Sequence, residues 1–298
     1  NMPVTHPTSR REFEEIGDLT GRVFGGYFPF RDWMRRWQAH PNNRPELTRI
    51  LKIDGQIISH VLIVDVPVRY GDATLRIGGI GCVETHGDHT KKGYSSQVME
   101  DVVRFMEADG FDLSLLFGIR NFYHKFGYRT ARVRENLSLT TNEIEVSDTP
   151  DLREKKLRRK DIPKIAALFD RMTSDYPLAP IRDESIWNWH WRFEHLDLPL
   201  GIWEGDNLVG YACMGGASGR EVIVEDRLEA YEAMLGLLKR HGQKNLCPSI
   251  EVNCPSDGGF ARYIFYNKRA SMSRSTDVNG GPMMRMCNMG SLIDQDRA

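Results

Sequence analysis

The order of apolar periodicities along this chain runs through once and then repeats, which constrains the fold more tightly than any composition figure. Residues 8–37 carry a helical stripe, with Phe13, Ile16, Leu19 and Val23 on one face and Thr8 or Ser9 placed to cap its start. Phe24-Gly25-Gly26-Tyr27-Phe28-Pro29-Phe30 breaks that helix, and a second short one carries Trp33 and Trp37. Asp54-Gly55 then predicts a hairpin between strands 48–53 and 56–66, because the tightest hairpin turns need positive φ at both central residues. A third strand over 73–85 is followed by a helix over 93–108, with Val98, Val102 and Phe105 sharing a face. A buried strand at 111–118, a short helix at 121–126 and a strand at 128–139 complete the first pass.

The second half repeats the order without repeating the residues. Asp161-Ile162-Pro163 opens a helix with Ile165, Leu168 and Phe169 inward. Strands 201–204 and 208–214 turn at Gly205-Asp206-Asn207, and strand 221–224, helix 228–241, strand 249–253 and a helical segment 258–267 follow. The polar stretch 142–156, with Asp148-Thr149-Pro150-Asp151, marks a boundary. The expected organisation is a domain over 1–141, a second over 150–281 and a tail over 282–298.

Composition excludes several function classes. At 298 residues with 40% hydrophobic residues, the chain can fill two cores. A net charge of −1 gives no global field for nucleic acid or an anionic membrane, and no apolar run approaches the ~20 residues of a membrane span. The basic run Lys155-Lys156-Leu157-Arg158-Arg159-Lys160 is short and reads as a solvated linker. The five cysteines form no CxxC pair and fit no zinc spacing, so free thiols in a reducing cytoplasm and no metal are expected. Trp187, Trp189 and Trp191, with His190 among them, read as packing residues.

Two segments carry chemistry. In Gly81-Cys82-Val83-Glu84-Thr85-His86-Gly87-Asp88-His89-Thr90-Lys91-Lys92-Gly93-Tyr94-Ser95-Ser96 a strand gives way to a short loop and at once to a helix. The unpaired amides and the dipole of such a helix start suit an anion, Gly93 permits close backbone approach, and Lys91 and Lys92 add charge. One helix downstream stands Phe117-Gly118-Ile119-Arg120-Asn121-Phe122-Tyr123-His124-Lys125-Phe126-Gly127-Tyr128.

Together these segments closely resemble motifs A and B of the GNAT superfamily of N-acetyltransferases, at residue level over the first ~140 positions. Over the remainder the chain resembles, in element order, the tandem acetyltransferases of the enhanced intracellular survival (Eis-like) type. The resemblance implies an α/β fold with mixed sheets: two tandem acyl-CoA N-acyltransferase folds, the second degenerate. It implies acetyl-CoA as co-substrate, lying between the strands that end near Thr85 and Phe117. Val83 and Thr85 would pair with the pantetheine arm through their backbones. Thr90, Lys91, Lys92, Gly93, Tyr94, Ser95 and Ser96 would hold the pyrophosphate, and Asn121 would face the thiol end. Tyr123 matches the family's general acid. Glu84 is the candidate base, with His86 and His124 as alternatives. Phe24, Tyr27, Phe28 and Trp33 lie where such enzymes build the acceptor pocket; an apolar helix corner is the other reading of that cluster. The loop departs from the family's Gln/Arg-x-x-Gly-x-Gly/Ala pattern in holding Thr90 and Ser95. Within the tail at 282–298, Pro282–Ile293 resembles the strand that in such proteins leads into a third, sterol-carrier-like domain.

The expected activity is acetyl transfer to a primary amine of a small molecule, aminoglycoside-like or polyamine-like, by a cytoplasmic homo-oligomer with no nucleic-acid, membrane or metal partner. Acetylation of protein lysines or N-termini is one alternative. A catalytically silent acyl-CoA sensor, to which Thr90 and an unassigned base both point, is the other.

Overall fold

The computed structural model describes residues 2–25, 30–131, 134–193, 199–255, 258–268 and 270–288, without the side chains of 30–33, 134 and 193. Its first elements are β1 (Val4–Thr5), α1 (Arg10–Phe24), α2 (Phe30–Gln38), β2 (Thr48–Ile53), β3 (Gln56–Tyr70), β4 (Ala73–Thr85), α3 (Tyr94–Ala108), β5 (Leu113–Gly118), β6 (Arg129–Thr130) and β7 (Arg134–Thr140). There follow β8 (Leu152–Lys156), α4 (Ile162–Thr173), β9 (Ala179–Pro180), α5 (Glu184–Phe193), β10 (Pro199–Glu204), β11 (Asn207–Gly215) and β12 (Ser218–Val224). The last are α6 (Leu228–Lys244), β13 (Ser249–Val252), α7 (Gly259–Asn267), β14 (Ser271–Ser275) and β15 (Gly281–Met286).

Local chemistry sets these boundaries. Ser9 Oγ accepts the Glu12 amide at 3.3 Å to start α1, and Gly25 ends it at φ 67°. Asp54 and Gly55 both take positive φ, 49° and 81°, as the two-residue hairpin requires.

The chain divides into two compact units, each built on one mixed sheet. The first comprises 1–133, 177–181 and 276–298; its strands run in the order β1-β2-β3-β4-β5-β15-β6, with β9 on the far end of β3. Strand alternation sends Leu51, Ile58 and Ile63 against α3 (Val98, Met99, Val102, Met106) and Ile50 and Ile57 against α1 and α2 (Ile16, Leu19, Met34). The second unit comprises 134–176 and 182–275, in the order β14-β7-β13-β12-β11-β10-β8. There α6 covers Val209, Ala212, Met214, Val222 and Val224, while α4 and α5 cover Leu208, Tyr211, Cys213 and Ile223.

The expected boundaries at 141 and 282 shift for a physical reason. The strand expected at 128–139 is two strands, of which β6 stays in the first sheet and β7 joins the second, burying Leu137 and Leu139 in its core. In exchange, residues of the expected tail form β15 with Gly281, insert antiparallel between β5 and β6, and bury Met283 among Leu116, Tyr123 and Tyr128. The two units therefore trade a strand.

Candidate functional site

Parallel pairing of β4 with β5 begins at Ile77–Leu113 and ends at Ile80–Leu116. Beyond Ile80 the β4 edge that faces β5 has no strand partner among the described residues, although β4 runs on to Thr85. On its other edge β4 pairs with β3, and there one residue of β3, Val61, stands opposite two of β4, Cys82 and Val83. This β-bulge turns Cys82 to φ 49°, a conformation that costs a non-glycine residue roughly 1–3 kcal/mol and tends to be retained where it re-aims groups at a site. Past the bulge the ladder resumes with Glu84 opposite His60 and Thr85 opposite Ser59. The His86 amide donates to the Ile58 carbonyl at 2.8 Å. In an antiparallel ladder hydrogen-bonded pairs alternate, so the Thr85 amide and carbonyl point away from β3, into the gap beside β5. That orientation fits the strand-like pairing expected of Thr85 with an extended ligand arm.

The loop after β4 leads to a helix start made for an anion. Gly93 caps α3 at φ 85°, with open space where a Cβ would stand. The first intrahelical bond of α3 runs from the Gln97 amide to the Gly93 carbonyl, 3.0 Å, so the amides of Tyr94, Ser95 and Ser96 have no intrahelical acceptor. No acidic residue occupies the first turn. Lys91 and Lys92 are exposed beside it, and Lys125, from the short helix after β5, donates to Ser96 Oγ at 2.7 Å. Thr90 turns its hydroxyl inward, onto the Gly87 carbonyl at 3.0 Å. The equivalent start of α6 differs in sign: Glu225 and Asp226 precede it, and Glu229 lies in its first turn. The residues of the first unit thus fit a pyrophosphate, and those of the second do not.

Glu84 lies opposite in orientation to Val83, as strand alternation predicts. Val83 packs toward the α3-side core, whereas Glu84 is 2% exposed and reaches Thr20 of α1. Its Oε1 stands 2.7 Å from Thr20 Oγ1 and 2.8 Å from His60 Nδ1. Glu84 Oε2 and His60 Nε2 are buried without a hydrogen-bond partner among the described residues. The buried carboxylate–imidazole pair thus has one open position on each member. His60 and Thr20 were not among the sequence candidates.

Tyr123 is 7% exposed, edge-on to Phe122 at 4.9 Å and to Tyr128 at 6.2 Å. Burial pushes its phenol up to about 12, so it holds its proton at neutral pH. Gly118 makes room for it: a Cβ there would stand 2.7 Å from the Tyr123 ring and 2.8 Å from Met283 Sδ. Asn121, at φ 62°, is exposed and already engaged, its amide donating to the Asn279 carbonyl at 2.8 Å. The Cys82 thiol is pushed up by burial and then by Glu84, which disfavours a thiolate nucleophile there. Of the aromatic cluster, Phe24 is half exposed at the end of α1. Tyr27, Phe28 and the Trp33 side chain lie outside the described residues.

A groove of about 480 Å³ in the same unit lies between α1 and the β2–β3 turn, with Glu14, Glu15, Asp18, Asp54 and His86, next after Thr85, among its walls. Arg11 and Arg22 also line it.

Residues 5–131 match the acetyltransferase (GNAT) domain family. The segment 5–131 is therefore similar to a GNAT acetyltransferase domain, and the class this match points to is that of acyltransferase enzymes, which as a family use acetyl-CoA. Solved structures extend the likeness of fold over nearly the whole chain. A GCN5-related N-acetyltransferase from Anabaena variabilis is 14% identical, with a TM-score of 0.74 over 97% of this chain and 73% of that one. A probable N-acyltransferase from Enterococcus faecalis is 16% identical, with a TM-score of 0.72 over 96% and 73%. Eis1 from Mycobacterium abscessus is 16% identical, with a TM-score of 0.65 over 97% and 75%. A search of curated proteins finds no match. Among the described residues no helix is long and apolar enough to cross a membrane.

Proposed function

We propose that this protein moves the acetyl group of acetyl-CoA to a primary amine of a small polycation, aminoglycoside-like or polyamine-like, by direct attack of the amine. The observation that carries it is the junction after Ile80: an unpartnered β4 edge, a bulge at Cys82–Val83, and an acid-free, glycine-capped helix start. The amides of Tyr94, Ser95 and Ser96, with Lys91, Lys92 and Lys125, hold the pyrophosphate. Thr85 and Val83 present backbone groups to the pantetheine arm. When bound, acetyl-CoA supplies a thioester activated toward amines. Tyr123, protonated throughout the working pH range, holds the proton that a departing thiolate needs. Glu84 and His60 form the proton-accepting pair for the amine. The acidic groove beside His86 supports a cationic acceptor, since its four carboxylates still outnumber Arg11, Arg22 and the Arg10 that pairs with Glu14 at 3.0 Å.

The test is thiol release from acetyl-CoA on adding spermidine or an aminoglycoside, followed by mass analysis of the amine. Amine-dependent release and a product heavier by one acetyl group are expected. Saturable binding of acetyl-CoA with no release for any amine, peptide lysines included, would favour the silent sensor instead. Release with peptide lysines alone would move the acceptor to proteins.

A further inference from the structure

The second unit contains a pocket of its own, about 210 Å³, on the face of its sheet covered by α4 and α5. Its walls are apolar, from Leu157, Ile165, Trp187 and Trp191. Its floor is a closed ion pair: Arg182 donates to Glu221 Oε1 at 3.0 Å and Oε2 at 2.7 Å, and the Tyr211 hydroxyl donates to Oε1 at 2.7 Å. Arg182 also lies over the Phe169 and Trp187 rings, at 4.4 and 4.9 Å. Burial opposes the charge on Glu221, but Arg182 outweighs it and holds the carboxyl below the usual carboxylate range. Both of its oxygens are therefore ionised and occupied, and no carboxylate remains to receive a cation.

What remains unsatisfied around the pocket is a set of donors. Arg220 lines it, is exposed, and forms no ion pair among the described residues. Its guanidinium lies over Gly215, where any side chain would collide with it. The Trp187 indole Nε1–H is buried without an acceptor among the described residues. With Arg182 cancelled by Glu221 and the Cys213 thiol held protonated by burial, Arg220 leaves the wall net positive whichever state His190 takes. An apolar, aromatic-walled space of this size admits one ring or a short branched chain, and the free groups at its margin call for an acceptor with negative charge.

We propose that this pocket is a binding site for a small carboxylate with an aromatic or branched apolar body. It is separate from the chemistry of the first unit and does not depend on it. Trp187 and Trp191 pack in the core of this unit, as expected, and the faces they turn to the pocket gain a role as a receptor wall.

The experiment titrates the full chain with 3-phenylpropionate, read by tryptophan fluorescence and calorimetry, with 3-phenylpropylamine as the charge-reversed control. Saturable binding of the acid at one site, unaffected by saturating acetyl-CoA, and none of the amine, is expected. R220A, a surface change that leaves the core intact, should weaken the acid about tenfold, and W187F, which keeps a ring but removes the N–H, several-fold. Equal binding of acid and amine, no saturable binding of the acid, displacement by acetyl-CoA, or unchanged affinity in R220A would each overturn the proposal.

Discussion

Replacing Ser96 by aspartate sets two consequences of one helix terminus against each other. With Gly93 as cap, Ser96 is the third residue of α3, beside the unpaired amides and within reach of the Lys125 ammonium at 2.7 Å. A carboxylate there meets the positive end of the helix dipole, which stabilises by roughly 0.3–1 kcal/mol. The corresponding rise in melting temperature is about 1–3 °C for a protein of this size. The same carboxylate stands where the pyrophosphate is proposed to bind. A single charge ~6 Å from a doubly charged pyrophosphate, at an effective dielectric of ~40–80, is repelled by roughly 1.4–2.8 kcal/mol, about ten- to hundredfold in Kd. S96D should therefore melt higher than the parent without ligand and bind acetyl-CoA more weakly in calorimetric titration. S96N, of equal size and no charge, should do neither strongly, and added salt should shrink both effects. If S96D melts higher yet binds acetyl-CoA with unchanged affinity, the phosphates lie elsewhere and the reasoning from the helix start is wrong.

Y123F should lower kcat by about 10²–10⁴ while leaving the Kd of acetyl-CoA nearly unchanged, measured by steady-state thiol release and titration. Because Tyr123 loses its proton only near pH 12, the kcat profile of the parent should show no alkaline fall from this group below about pH 10. G118A places a methyl against Tyr123, Met283 and Leu116 and should cost about 1–3 kcal/mol in urea unfolding, with kcat falling more than acetyl-CoA affinity. Hydrogen bonds from Lys52 and the Thr8 amide hold Glu12 at about 2 against an ordinary 4.5. A lowered carboxyl contributes stability that is complete above pH 4.5 and lost as pH falls toward 2, so K52M should lower stability at neutral pH, by an amount that shrinks as pH falls toward 2, read by urea unfolding at each pH.

Much of the first unit was legible in the residues because its signals are local. The Asp54-Gly55 turn fixes β2 and β3, and the glycine-opened helix after Thr85 fixes the loop. The partner of Glu84 was not legible. Pairing that starts at Tyr70–Ala73 and runs without irregularity sets Val83 opposite His60; the bulge at Cys82–Val83 advances β4 by one residue and brings Glu84 there instead. No residue type announces that bulge, since Cys82 is an unusual occupant of positive φ. Nor could periodicity name the neighbour of β5. Alternation tells which face of a strand is buried, not which strand lies beside it, and 134–140 and 281–286 are both short strands available for that place. The pocket around Arg182 and Glu221 was likewise hidden, because the two are 39 positions apart and charged.

The traded strands have a consequence for how the chain is made. As it leaves the ribosome, the first sheet is complete up to β5 and then lacks its next member, which arrives with Met286, about 170 residues after Gly118. At ~5–20 residues per second the interval is roughly 8–30 s. Throughout it, Leu113-Ser114-Leu115-Leu116-Phe117 presents an apolar, unpaired edge, the kind that recruits foreign strands. The first unit cannot finish folding until the second has been synthesised, and a cut anywhere in 142–270 separates each sheet from a strand it needs. Neither sheet is complete until both halves of the chain have been made, because β7 and β15 are exchanged between them.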